Sequence, residues 1–311
     1  SMPRLTADAL KNSYVKGGSL APTSFVADLY YTENGVPMAE DKTFDYEHRF
    51  DLRAADESEK WKVSTSVDAA TGEPFVTARM HFNREPRFYA SLGFDAALWW
   101  GNGKYDITKY GELYKLAAKF SQLQGQTWAS LYSVTGYFAK KLIAPETTFN
   151  ASGFSTEPAP FPIIRMSDLY LLYAEVLNEV YGPTDEVFVY LDAVRAKAGL
   201  KGARESWRNY STQAAKVETK DGLRSIIQRE RMIELAMEGQ NMWDIRRWLR
   251  GTELWNGQTM VWNVNEKAPA AYYNQVPVTS AHKKFSQRDY LWPISQRQMS
   301  INPKLQQNYG W

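Results

Sequence analysis

The stretch ERMIELAMEGQNMWDIRRW, residues 230–248, is the densest charged segment of the chain. Glu230, Glu234 and Glu238 recur every fourth residue, and Asp244, Arg246 and Arg247 follow shortly after Gly239. Three chemistries fit that inventory: a carboxylate pair for acid–base work, an oxygen cradle for a divalent cation, or an Arg–carboxylate lattice that binds helices together. Helical spacing puts the three glutamates on one face, where like charges at i, i+4 cost roughly 0.2–0.5 kcal/mol per pair unless cations lie opposite. Arg195 upstream, and Arg246 and Arg247 beyond the turn at Gly239, are the natural partners. A general acid needs a carboxyl kept neutral by apolar surroundings, whereas nearby guanidiniums lower carboxylate pKa values. The same positive charge disfavours a magnesium or calcium site. The stretch therefore reads as a structural ion network of Arg195, Glu230, Glu234, Glu238, Asp244, Arg246 and Arg247, with no catalytic residue, metal or cofactor assigned.

The other unusual feature is aromatic: 11 Trp, 19 Tyr and 14 Phe, many in stretches rich in Gly, Asn and Pro. In LWWGNGKYD, residues 98–106, adjacent Trp99 and Trp100 precede Gly-Asn-Gly. That pattern suggests a turn displaying at least one indole while the other enters the core. Sugars present C–H faces that stack on aromatic rings, and a side chain such as Asn102 can bridge hydroxyls. Trp61, in the polar setting ESEKWKVST, and Tyr105 extend the same platform, with Trp255 and Trp262 as weaker alternatives. Glycoside hydrolysis would instead need two carboxyl groups about 5–10 Å apart, and Asp95 and Asp106, which bracket the Trp pair, are the carboxylates placed for it. Arg84, Glu85 and Arg87 in NREPR read as a turn held by side-chain hydrogen bonds rather than as an anion site.

Composition bounds the rest. The 311 residues carry 37 Lys and Arg against 35 Asp and Glu, so the net charge of +2 gives no nucleic-acid footprint. There are no cysteines, which excludes disulfides, thiolate zinc sites and cysteine nucleophiles. His48, His81 and His282 share no ligand spacing. No apolar run approaches the roughly 20 residues of a membrane span. Ser1-Met2 reads as a cloning remnant, which leaves a native targeting segment upstream open.

These groups must be positioned by the elements around them. PTSFVADLYYT (22–32) predicts a helix, and WKVSTSV and FVTARMHF (within 61–82) a strand pair about Thr71-Gly72. Beyond the turn-rich segment 146–162 the pattern changes. Met166, Leu169, Tyr170, Tyr173, Val176, Leu177 and Val180 follow i, i+3, i+4, i+7 spacing, and Val187, Tyr190, Leu191, Val194 and Ala198 repeat it after Gly182-Pro183. The stripe predicts that Tyr170, Tyr173 and Tyr190 are core. Two helices joined by a short turn make an αα-hairpin, the unit of tetratricopeptide-like repeats. A third helix is expected over 221–237 and a short one over 241–249.

With these motifs in hand, the chain resembles the SusD/RagB family of surface glycan-binding lipoproteins. The likeness is carried by PTSFVADLYYTENGVPM, NREPRFYASLGFDAALWWG, RMSDLYLLYAEVLNE, YLDAVRAKAGL, ERMIELAMEGQNMWDIRRW and LWPISQRQMSINPKLQQNYGW, six motifs in register over nearly the whole length. The resemblance implies a mainly α, SusD-like fold: tetratricopeptide-like hairpins beside a loop-rich, aromatic-rich ligand region with a few short strands. On that reading 1–162 is the ligand-binding part, 163–250 the helical repeat part and 251–311 an irregular C-terminal part of a single domain. It further implies that the chain corresponds to a C-terminal half, so that the hairpin at 165–199 keeps an apolar face for repeat helices it lacks. The implied function is non-enzymatic capture of an extracellular glycan at the outer membrane and delivery to a SusC-like TonB-dependent transporter. Membrane attachment would run only through a lipid anchor that this sequence does not carry. A glycoside hydrolase with an aromatic cleft and a protein-binding helical scaffold are the competing readings.

Overall fold

The computed structural model describes residues 3–5, 20–69, 71–101, 106, 108–127, 132–141, 143–150, 153–155, 157, 161–278 and 284–311. Seven helices carry the argument: α1 (Ser24–Leu29), α2 (Pro86–Ser91), α3 (Met166–Tyr181), α4 (Asp185–Lys197), α5 (Ala203–Tyr210), α6 (Lys220–Glu234) and α7 (Asn241–Arg247). Among the described residues, ten strands of two or three residues pair antiparallel in twos. They are β1 (Leu52–Ala54) with β2 (Val76–Ala78), β3 (Leu92–Gly93) with β6 (Phe138–Ala139), and β4 (Leu98–Trp99) with β5 (Tyr114–Lys115). The remaining pairs are β7 (Thr148–Asn150) with β8 (Gly153–Ser155), and β9 (Met260–Trp262) with β10 (Gln275–Pro277). Ladders this short pin loops in place and build no sheet core.

The helices arise where the periodicity placed them. α3 and α4 form the expected αα-hairpin, with α6 packed on α3. Gly182, at φ +76°, ends α3 in a conformation that most side chains avoid. α6 closes earlier than expected, at Glu234, because residues 235–239 wind into a turn that reaches Gly239 at φ +85°. Near the N-terminus only Ser24–Leu29 of the expected helix is helical. The strand pair also differs: 76–78 pairs with 52–54, while Val67 and Pro74 make an isolated bridge across the turn at 71–72.

One contiguous core runs from Leu5 to Tyr273. At its centre His81 stacks on Phe94, with centroids 4.2 Å apart, and meets Tyr137 and Trp262 edge-on. Its ring nitrogens are matched by Thr77 Oγ1 at 2.6 Å and Tyr137 OH at 2.9 Å. Burial holds its pKa well below the ordinary histidine value.

α3 inverts the expectation drawn from its apolar stripe. Met166, Leu169, Tyr173, Val176 and Val180 are exposed, whereas Asp168, Glu175 and Asn178 are buried with Leu171, Ala174 and Leu177. Tyr173 is therefore not core, while Tyr170 and Tyr190 pack partly buried against it. Asp168 and Glu175 are met by arginines, and the Asn178 amide donates to the Lys220 carbonyl at 2.9 Å, while its Oδ1 is buried with no hydrogen-bond partner among the described residues.

Candidate functional site

Glu230 and Glu234 lie on α6 as their spacing placed them, Glu238 follows in the turn at 235–239 rather than on the helix, and the partners come largely from elsewhere in the chain. Glu230 meets Arg195 Nη1 at 3.0 Å and Arg87 Nη2 at 2.7 Å. Glu234 is held by Arg87 Nη1 at 2.8 Å and Arg165 Nη1 at 2.6 Å. Glu238 is held by Arg165 Nε at 2.7 Å and Lys141 at 2.5 Å. Asp244 accepts from Arg231 and Arg247, and Arg247 also reaches Glu175 on α3 at 2.5 Å. Arg246 corrects the expectation that it faces the acid row. It donates to the Asp289 carbonyl, and its guanidinium lies 5.0–5.8 Å from the rings of Trp292, Phe285 and Trp255. Nor is NREPR merely a turn. Glu85 and Arg84 are fully buried, and Arg87 ties Glu85, Glu230 and Glu234 together.

Such saturation leaves no carboxyl free for chemistry. Burial of Glu234 alone would raise its pKa, but the hydrogen bonds from Arg165 and Arg87 outweigh it and hold the value below the ordinary one. Glu234 therefore contributes stability above its unfolded pKa, and that contribution is lost as pH falls through the lower folded value. Glu234→Gln should cost about 1–3 kcal/mol in urea unfolding. Between about pH 5 and 3 the unmodified chain should lose stability more steeply than the variant; parallel slopes would contradict this role. Among the described residues, no group of three or more His, Asp or Glu is disposed to hold a metal ion.

Trp61, Trp99 and Trp100 converge on a pocket of about 370 Å³ lined also by Tyr89, Lys62, Lys140 and apolar neighbours that include Ile143 and Pro145. Three elements build it. α2, begun by Pro86 at its first turn, supplies Tyr89. β4 supplies Trp99, Trp100 follows just beyond its end, and the segment leaving β6 supplies Lys140. Trp99 closes β4 and enters the core at 1% exposure, while Trp100, the residue just beyond the strand, emerges at 38%. Gly93 makes that possible: a Cβ there would stand 2.8 Å from the Trp99 ring. The direct sugar contact expected of Trp99 is thus corrected to a wall, and Trp100 is the indole with an open face. Trp61, also 38% exposed, meets Tyr110 edge-on at 5.4 Å across the rim.

Asn102 and Tyr105 lie outside the described residues. Trp262 is buried against Phe50, Tyr137 and Tyr273, and Trp255 packs on Phe285, so neither joins the pocket. Asp95 is 1% exposed and is held by the Ala118 N–H, the Lys119 ammonium at 2.8 Å and the Tyr273 hydroxyl. Asp106 is exposed and caps Thr108. A carboxylate locked as Asp95 is cannot attack or protonate a glycosidic bond. Lys140 and Lys62 were missed by sequence reasoning: Lys62 follows Trp61 but was read only as part of a strand, and only the fold brings Lys140 beside the tryptophans.

The fold defines a mainly α protein with tetratricopeptide-like hairpins and a loop-built aromatic pocket. The model of the SusD family matches residues 4–311, and the chain belongs to that family. SusD-like protein P2 of Formosa agariphila is 29% identical over 145 residues, 47% of this chain and 24% of that protein. Among solved structures, the protein BT4246 aligns with a TM-score of 0.72 at 24% identity, covering 94% of this chain and 44% of its own. A SusD-like protein from Bacteroides fragilis NCTC 9343 aligns with a TM-score of 0.64 at 20% identity, covering 94% and 47%. The chain thus spans under half the length of these solved relatives, and its match to the curated one spans about a quarter.

Proposed function

We propose that this chain binds an oligo- or polysaccharide in the Trp61–Trp100 pocket and does not cleave it. The observation that carries the reading is an apolar cavity with two half-open indoles at its mouth, in a size range suited to small ligands. Membership of the SusD family and the glycan-binding lipoproteins its sequence resembles support the same class of ligand. In the longer protein the site would sit at the outer-membrane surface and pass its glycan to a SusC-like TonB-dependent transporter. Among the described residues no helix is long and apolar enough to cross a membrane; the family resemblance implies attachment through a lipid anchor. Incubation with a polysaccharide panel, following both retention and release of reducing ends, tests the reading. Retention without release is expected; release would favour a hydrolase.

The exposed stripe on α3 supports a second contact. We infer that further helices of the longer protein cover it, because relatives run to about twice this length and a helical repeat buries its apolar face only against a neighbour. Val176→Glu should leave the melting temperature within about 2 °C and reduce self-association in light scattering. A chain that is already monomeric and binds no apolar dye would contradict the inference.

A further inference from the structure

The pocket is electrostatically one-sided. Lys62 and Lys140 line it, and among the described residues no carboxylate does. Lys140 Nζ donates to the carbonyls of Tyr89 at 3.1 Å and Leu98 at 3.0 Å. An ammonium carries three N–H donors, so one is left. The Nζ stands 5.3 Å from the Trp100 ring centroid and 5.9 Å from that of Trp99, a distance at which the ring faces favour the charged form but do not neutralise it.

Several buried cations are balanced by carboxylates. Lys119 sits on Asp95, Arg195 on Glu230, and Arg231 on Asp168 and Asp244. Arg4 and Arg84 are held by carbonyls and a hydroxyl instead, and neither lines the pocket. Lys140 combines an uncompensated charge with a cavity wall, and it holds that charge on two carbonyls with one N–H left over. Burial lowers its pKa to about 8, with no neighbouring charge contributing. The groups around it agree. Tyr89 on α2 has its phenol pushed up by burial, Lys62 lies 5.5 Å over the Tyr89 ring, and Lys141 on the same segment is occupied by Glu238.

Building on the glycan reading, we propose that the pocket selects an acidic sugar chain whose carboxylate or sulfate group seats on the remaining N–H of Lys140 while a sugar ring lies against Trp100. A neutral glycan would leave the ammonium uncompensated, whereas an anion forms a charge-assisted hydrogen bond in a partly dry site.

Titrating the chain with galacturonate oligosaccharides, sulfated galactan oligosaccharides, and their carboxyl-reduced and desulfated counterparts tests this. One acidic series is expected to bind roughly tenfold or more tightly than its neutral counterpart at about pH 7, and which series does so separates carboxylate from sulfate. Lys140→Gln should abolish the preference, Lys140→Arg should retain most of it, and Trp100→Ala should weaken acidic and neutral ligands alike. The preference should also decay on the unmodified chain above about pH 8, because the ammonium is charged below its pKa and lost above it, while neither acid titrates there. That profile needs no substitution and holds even if Lys140→Gln fails to fold. Equal binding of acidic and neutral partners, or a preference unchanged up to about pH 9.5, overturns the inference. The glycan reading survives that result as long as Trp100→Ala still weakens binding; no binding by any oligosaccharide overturns both.

Discussion

Arg87→Met is expected to destabilise the chain by about 3–5 kcal/mol, a large share of the stability of an ordinary domain. Its side chain is the hub of three carboxylates: Nε meets Glu85 at 2.7 Å, Nη1 meets Glu234 at 2.8 Å, and Nη2 lies 2.7 Å from Glu230 in an ion contact short of hydrogen-bond geometry. Without it Glu234 keeps Arg165 and Glu230 keeps Arg195. Glu85 keeps only the Tyr31 N–H at 2.9 Å, in a fully buried position. Burial already raises the Glu85 pKa. Loss of the cation raises it further, and a carboxyl with a raised folded pKa destabilises most above that value. The deficit should therefore be greatest near neutral pH and shrink on mild acidification. Arg87→Lys should rescue little, since an ammonium cannot span three carboxylates as a planar fork does. Urea unfolding at several pH values measures all of this, and a deficit below about 1 kcal/mol would remove Arg87 from the centre of the network.

Trp100→Ala is expected to lower glycan affinity roughly tenfold or more, the loss of about 1–2 kcal/mol of apolar contact between an indole face and a sugar ring. Because Trp100 is 38% exposed just beyond the end of β4, the melting temperature should move by no more than about 2 °C. Trp61→Ala should act in the same direction. Trp99→Ala differs in kind: it empties a core position packed against Gly93 and should destabilise by about 3–5 kcal/mol. Affinity measured on folded protein, by titration calorimetry or affinity electrophoresis, separates the two effects. Unchanged affinity in Trp100→Ala would place the ligand elsewhere.

How far these sites were legible depended on the range of the interaction. The row Glu230, Glu234, Glu238 is local, and its spacing alone placed it on one face needing cations. Arg195, on the neighbouring hairpin, was found; Arg87, 147 residues from Glu234, and Arg165, 69 away, were not, because no local pattern couples positions so distant. The signal available was the run of two arginines about a proline in NREPR, a motif whose charges needed buried partners. Arg246 shows the converse error. Sequence proximity suggested a salt bridge, but the turn at 235–239 carries it to the aromatic C-terminal part, where rings and a carbonyl take its charge. For α3, periodicity fixed the helix but not the face, since the ion network allows polar residues inside and frees the apolar stripe outside. The tryptophan pair was legible as one in and one out. Which was which, and that Lys140 lies beside them, depends on the pairing of β3 with β6 and β4 with β5.

The central claim is that the Trp61–Trp100 pocket captures a glycan without cutting it. The most direct measurement is retention of the unmodified chain, Trp100→Ala and Trp61→Ala on a panel of neutral and acidic polysaccharides, with reducing ends assayed in the same samples. Retention of the unmodified chain on at least one polymer, its loss in both variants and no rise in reducing ends is the predicted result. Retention that survives both substitutions, or release of reducing ends by the unmodified chain, would contradict the account.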